Sequence, residues 1–144
     1  MIIRDMVRDD IPQVAQLYHQ FWNEESSRVE AMLHKYDTLQ ETGTHILLSA
    51  VENDRVIGTV MGVICHEIYG DCTAFLVLEN LIVDKGYRNQ GVGKALVSEL
   101  ESRVKGKCAQ VILVTEAERD EALAFYESIG YNPDTHRGFK KKLS

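Results

Sequence analysis

Glu79-Asn80-Leu81-Ile82-Val83-Asp84-Lys85-Gly86-Tyr87-Arg88-Asn89-Gln90-Gly91-Val92-Gly93-Lys94-Ala95-Leu96 reads as the end of an apolar strand, a short loop and the first turn of an amphipathic helix. From Leu76 to Val83 only Glu79 and Asn80 interrupt the apolar run, which suits a strand covered on both faces. Beyond the loop, Val92, Ala95, Leu96, Leu100 and Val104 recur at helical spacing, while Lys94, Ser98, Glu101, Ser102 and Lys105 take the opposite face. Between them, Gly91 and Gly93 let the backbone come close to a ligand. The free N–H groups and positive dipole end of the helix face that loop. Such an end holds phosphate, and the flanking Arg88 and Lys94 strengthen it.

Outward from this stretch the chain alternates between two periods. Ile2 to Val7 is a short strand. Asp9 or Asp10 can cap the helix that follows, with Pro12 in its first turn and Ile11, Val14, Ala15, Tyr18, Phe21 and Trp22 on its apolar face. A polar break at residues 23–27 separates it from a second helix starting near Ser26 or Ser27. That helix buries Val29, Met32, Leu33, Tyr36 and Leu39 and is closed by Gly43. Thr44 to Val51 is a strand, Glu52-Asn53-Asp54-Arg55 a hairpin turn, and Val56 to Tyr69 a long strand in which Gly58 and Gly62 mark bends or bulges. Gly70-Asp71 turns the chain into the strand that ends at Asp84. The tight connections imply antiparallel pairing. After the glycine loop and its helix come a strand over Gln110 to Thr115 and a helix from about Arg119 to Ile129, capped by Gly130. A last strand is expected over His136 to Leu143. The order β-α-α-β-β-β-α-β-α-β predicts an α/β (α+β) fold, a mixed and mostly antiparallel sheet flanked by helices. With no repeat, linker or low-complexity tract, residues 1–144 are expected to form a single domain.

Composition narrows the function. The 144 residues, 44% hydrophobic and 26% charged, are globular in character. No apolar run approaches the roughly 20 residues that span a bilayer, and Met1-Ile2-Ile3-Arg4-Asp5 lacks a signal-peptide pattern, so no membrane partner is expected. Cys65, Cys72 and Cys108 form no CxxC pair, and their odd number argues for a reduced, cytoplasmic setting. A formal net charge of −6 disfavours a nucleic-acid face, and Lys140-Lys141-Lys142 reads as solvated. His19, His34, His45, His66 and His136 have no ligand spacing, so no metal is expected. The cysteines lack a local His partner and read as small side chains or free thiols.

Three phosphate signatures compete for Arg88 to Leu96. A nucleotide-hydrolase loop aligned on Gly93-Lys94 has Arg88 in place of its first glycine and Ala95 in place of the hydroxyl that holds Mg²⁺. The dinucleotide fingerprint has Leu96 in place of its third glycine and would follow an antiparallel meander, which does not build that fold. The third, R/Q-x-x-G-x-G/A after an apolar strand, is complete as Arg88-Asn89-Gln90-Gly91-Val92-Gly93. With it, Leu81-Ile82-Val83-Asp84 and Tyr87-Arg88 resemble motif A of the GNAT (GCN5-related N-acetyltransferase) superfamily. Ala122-Leu123-Ala124-Phe125-Tyr126-Glu127-Ser128-Ile129-Gly130-Tyr131 resembles its motif B. The element order resembles the family's along the whole chain.

The resemblance implies acetyl-CoA as co-substrate. Its pyrophosphate would sit on backbone N–H groups of Arg88, Asn89, Gln90, Gly91, Val92, Gly93 and Lys94. Its pantetheine arm would pair with the backbone of Leu81 and Val83 in the manner of an added strand, with Ile82 between them counted among the cofactor-binding residues. Where the family often has Asn, three residues before the motif B alanine, this chain has Arg119. The implied chemistry is direct attack of an amine on the thioester carbonyl. Glu79 is the candidate base acting through water, its alternative being a strand-edge residue or one paired with a nearby Arg. A strand N–H at or next to Leu81 would stabilise the carbonyl oxygen, and Tyr126 is both a cofactor contact and the candidate acid for the leaving thiolate.

The resemblance implies an acceptor pocket built from the first two helices, where this chain has Trp22, Glu24, Glu25, Met32 and Tyr36; Trp22, Glu25, Tyr36 and Glu79 are the candidates for it. The acceptor suggested by the resemblance is a small-molecule primary amine, of amino-sugar, aminoglycoside, aminoalkylphosphonate or polyamine type. Protein N-terminal or lysine acetylation, and a non-catalytic acyl-CoA-binding regulatory module, stay open beside it, as does a homodimeric assembly.

Overall fold

The computed structural model describes residues 1–22 and 27–144. Two compact units make up the chain, Met1–Ile112 and Leu113–Ser144. The first contains strands β1 (Ile2–Asp5), β2 (His45–Glu52), β3 (Arg55–Cys65), β4 (Ala74–Val83) and β5 (Cys108–Ile112). It also holds helices α1 (Ile11–Phe21), α2 (Val29–Gln40) and α3 (Val92–Val104). The second contains α4 (Asp120–Ser128).

The five strands form one sheet in the order β1-β2-β3-β4-β5, antiparallel up to β4 and parallel between β4 and β5. The hairpin between β2 and β3 turns on Asn53 and Asp54, with φ of 51° and 61°. Two successive left-handed residues of this kind form the turn whose twist matches its flanking strands. The parallel pair requires a crossover, and α3 supplies it.

Helices cover both faces of the sheet. On one face, Ile11, Val14 and Leu17 of α1 pack with Met6, Val56 and Ile82, and Tyr18, Phe21, Trp22, Val29, Met32, Leu33 and Tyr36 close around them. On the other, α3 buries Val92, Leu96, Val97, Leu100 and Val104. Gly58 and Gly62 of β3 lie under α3. A Cβ on Gly62 would stand 2.7 Å from Leu100 Cδ1, and one on Gly58 would stand 3.1 Å from both Leu96 Cδ1 and Val92 Cγ1. The β2–β3 register does slip at Ala50/Val51, beside Gly58, in line with the expected bulge. The requirement for glycine at both places, however, comes from the closeness of the helix.

Asp10 precedes α1 as expected, but its carboxylate does not cap the helix. It accepts instead from Arg4 Nη1 at 2.7 Å, Val7 N at 2.9 Å and Ser49 Oγ at 2.9 Å. Burial pushes this carboxyl up, but these donors outweigh burial and hold it below the usual carboxylate range.

In the second unit, α4 ends at Ser128 and Gly130 follows with φ of 98°, the left-handed stop that the sequence suggests. The expected last strand is not formed: residues 131–144 carry no regular secondary structure. The alternation of His136 to Leu143 suits a strand, but a strand exists only where a neighbour satisfies its backbone, and this segment pairs with none of the described strands. Among the described residues no helix is long and apolar enough to cross a membrane.

Candidate active site

Strand β4 changes character at Glu79-Asn80-Leu81. Met61 of β3 pairs with Glu79 and Thr59 with Ile82, so Asn80 and Leu81 together oppose Val60. Asn80 takes the left-handed conformation, φ 53°, which Asn tolerates better than a bulky or branched residue. This bulge inverts the alternation of side chains. Before it, Leu78 faces α3, being paired with Gly62. After it, Ile82 lies in the α1–α2 core, where unbroken alternation would have turned it towards α3. Glu79, paired with Met61, therefore projects on the same face as Ile82, the face that carries Trp22 and Tyr36.

The bulge also decides which backbone groups are available. Asp84 N donates to Ile57 O at 2.8 Å, so Asp84 and, by alternation, Ile82 turn their amides towards β3. Val83 and Leu81 turn theirs the other way. On that side β5 pairs only with Ala74 to Val77, so among the described residues of this unit the distal half of β4 has no strand partner there. Leu81 and Val83, the residues expected to pair with a pantetheine arm, thus turn their backbone groups away from β3. Ile82 does not: its amide faces β3 and its side chain is core.

The loop arrives at α3 without a side-chain cap. Gly91 is left-handed at φ 83°, Asn89 at φ 60°, and the first intrahelical bond is Ala95 N to Gly91 O at 3.0 Å. The N–H groups of Val92, Gly93 and Lys94 accordingly have no acceptor within the helix. Arg88, Asn89, Gln90, Gly91 and Lys94 are exposed around this end. An uncapped helix start with left-handed residues before it and cations beside it fits a diphosphate. Arg88 itself leans along the strand: its Nε donates to Val83 O at 3.3 Å and its guanidinium lies 5.5 Å from the centre of the Phe21 ring.

The turn between β4 and the loop is pinned by residues that sequence patterns do not single out. The Asp84 carboxylate accepts from Gly86 N at 2.8 Å, Arg55 Nη2 at 2.9 Å and Gln20 Nε2 at 3.1 Å. The Gln20 carbonyl oxygen accepts from Lys85 N at 3.0 Å. Burial pushes Asp84 up, but the Gly86 amide, Gln20 and Arg55 together hold it below the usual carboxylate range. The short turn Asp84-Lys85-Gly86 hints at the Gly86 contact, whereas Gln20 lies 64 positions away and gives no local signal.

Glu79 is half-buried and, among the described residues, has no hydrogen bond or ion pair, so the expected alternative of an Arg partner is not found there. Tyr36 donates its hydroxyl to Met6 O at 3.0 Å, which ties α2 to the segment that follows β1. Trp22 packs edge-on against Tyr18 and Phe21, at 5.7 and 5.6 Å between ring centres. Glu24 and Glu25 lie outside the described residues. In the second unit, Arg119 occupies the N-cap position of α4 without a side-chain cap bond. Tyr126 packs edge-on against Phe125 and Tyr131, at 5.1 and 5.8 Å. Ala122, Phe125, Tyr126 and Ile129 are half-buried, the inward face that the motif suggests.

Known proteins similar in sequence and fold identify the family. The profile of the acetyltransferase (GNAT) family matches residues 11–131, across both units. Glucosamine 6-phosphate N-acetyltransferase of Trypanosoma brucei brucei is 31% identical, over 74% of this chain and 81% of that protein. N-alpha-acetyltransferase 30 of Schizosaccharomyces pombe is 33% identical over 57% of this chain, which spans about half of that protein's length, 54%. The crystal structure of glucosamine-6-phosphate N-acetyltransferase from Arabidopsis thaliana superposes with a TM-score of 0.86 at 22% identity, covering 99% of this chain and 98% of that one, a likeness of fold. The matched residues include the bulged strand, the glycine loop and α3, and the chain belongs to the GNAT acetyltransferase family.

Proposed function

We propose that this chain transfers the acetyl group of acetyl-CoA to a primary amine on a small molecule, with an amino-sugar phosphate as the first acceptor to test. The observation that carries the reading is the pairing of two features in one unit. The open edge of β4 at Leu81 and Val83 suits the amides of a pantetheine arm, and the uncapped start of α3 suits the diphosphate at its other end. The trypanosome relative, matched over most of its length, supports the choice of acceptor.

Acetyl-CoA, when bound, supplies an acetyl carbon activated as a thioester. The chain's own residues do the rest. The amides of Val92, Gly93 and Lys94 hold the diphosphate, and the edge amide of Leu81 is placed to donate to the carbonyl oxygen as negative charge develops on it. A simple alkylamine has a pKa of about 10.4 and is nearly all ammonium near pH 7, an amino-sugar amine is less basic because of its neighbouring oxygens, and in both the ammonium form must lose a proton before attack. Glu79 carries no competing cation among the described residues and can take that proton through water. Tyr126 is assigned the proton for the leaving thiolate by its place in the second motif.

A second reading, acetylation of protein N-termini, is favoured by the fission-yeast relative. A panel of amines offered with acetyl-CoA, read by release of free thiol, separates the readings. Turnover with glucosamine 6-phosphate, an aminoglycoside, an aminoalkylphosphonate or a polyamine supports the first. Turnover with peptides bearing a free α-amine alone replaces it with the second. Binding of CoA with no thiol release from any amine would leave a non-catalytic acyl-CoA module.

A further inference from the structure

We infer that Gln20, on the last turn of α1, is a positioning residue for the cofactor loop, and that it ties acetyl-CoA binding to the acceptor-side helix. The inference rests on the cofactor reading above and adds a residue to it.

Two glutamines fasten α1 to the sheet, seven positions apart and hence on one face of the helix. Gln13 Oε1 accepts from Val56 N at 2.9 Å, at the start of β3. Gln20 uses both ends of its amide on the turn that launches the loop: Nε2 donates to Asp84 Oδ2 at 3.1 Å, and Oε1 accepts from Lys85 N at 3.0 Å. Asp84 is buried, and its other oxygen receives Gly86 N at 2.8 Å. Gln20 thus fixes two successive backbone positions, Lys85 directly and Gly86 through Asp84, just ahead of Arg88. No other side chain of α1 reaches this turn among the described hydrogen bonds.

The adjacent residue closes the connection. Phe21 lies under the Arg88 guanidinium, and Arg88 Nε sits on Val83 O, one of the edge groups that a pantetheine amide would use. A cofactor amide that takes Val83 O displaces Arg88 from it and shifts the cation across Phe21. Phe21 in turn is in edge contact with Trp22, the single tryptophan of the chain. Binding at the loop is therefore expected to change the emission of Trp22, provided that Gln20 holds the turn in place.

The test titrates CoA into the full chain while following Trp22 fluorescence, with calorimetry as an independent measure of affinity. Gln20→Met keeps the length and removes both bonds. It is expected to bind CoA about tenfold more weakly and to lose most of the Trp22 change at saturation. Gln13→Met, the control, removes the other fastening of α1 and should lower thermal stability while leaving CoA affinity and the Trp22 change intact. Gln20→Glu keeps an acceptor for Lys85 N but sets a second carboxylate against Asp84, and should fall between wild type and Gln20→Met. If Gln20→Met does not fold, Gln20→Glu decides alone. Either Gln20 variant binding CoA with wild-type affinity and wild-type fluorescence change would overturn the role of Gln20 while leaving the cofactor reading standing. Equal losses in Gln13→Met and Gln20→Met would reduce Gln20 to a general stabiliser of α1. A wild-type chain that does not bind CoA would overturn the cofactor reading and this inference with it.

Discussion

Glu79 and Tyr126 carry the chemistry proposed for this chain, and each makes a separable demand. Glu79→Gln removes the base but keeps the shape of the strand. With an alkylamine acceptor the rate is expected to fall by about a hundredfold near pH 7, where the ammonium form dominates, and to recover as pH rises toward the acceptor's pKa. A pH–rate profile checks this, and a loss that stays constant with pH would assign Glu79 to positioning. With an α-amine, whose pKa is about 7.7–8.0, the same variant should lose far less at pH 8. Tyr126→Phe should lower kcat by about tenfold or more while CoA affinity measured by calorimetry stays within about twofold, and an unchanged kcat would remove Tyr126 from the mechanism. Both residues stand out in the sequence, one as a charge inside an apolar strand and the other inside a motif. The Gln20–Asp84–Lys85 arrangement does not, because a glutamine on an amphipathic helix has the same local signature whether it faces water or a distant turn.

The element on which the site depends is β4, and its bulge is the part that pattern alone does not reveal. Glu79-Asn80 reads as two polar residues in an apolar run, which says that the strand is unusual but not that its alternation inverts there. The inversion follows from the pairing of Met61 with Glu79 and Thr59 with Ile82. Asn80→Gly should be tolerated, since glycine accepts φ of 53° freely. Asn80→Val should cost about 1–2 kcal/mol in chemical denaturation, because a branched residue is strained in the left-handed region. The glycines of β3 make a similar point. Gly62→Ala places a Cβ 2.7 Å from Leu100 Cδ1, so that this fully buried side chain must shift, and is expected to destabilise the chain by about 1–3 kcal/mol at unchanged m-value.

For the molecule as a whole, Asp10 and Asp84 set the acid side of stability. Both are buried carboxylates whose donors hold them below the usual range, while in the unfolded chain they titrate near an ordinary aspartate value of about 3.9. A folded-state value lower than the unfolded one stabilises the fold at pH above about 3.9, and that contribution disappears as pH falls through the folded values. Melting temperature should therefore be flat from neutrality down to about pH 5 and drop steeply below about pH 4. In Asp10→Asn the protein should start from a lower melting temperature, with Arg4 left without its anionic partner, and should show a shallower acid decline. An equally steep decline in the variant would place the acid sensitivity elsewhere.

By itself the sequence determined the order of elements through β5 and α4, the glycine loop at a helix start, the cofactor-type motifs and the candidate base. All of these are local patterns of period, turn chemistry and spacing, which a chain expresses without regard to its distant parts. Tertiary structure alone decided the rest. It decided that the alternation of β4 inverts at Asn80 so that Ile82 is core, that Tyr36 donates to Met6, that residues 131–144 form no strand, and that Gln20 reaches the turn ahead of the glycine loop. Each of those depends on a partner remote in sequence, and hydrogen bonding and close packing assign partners only once the chain has folded.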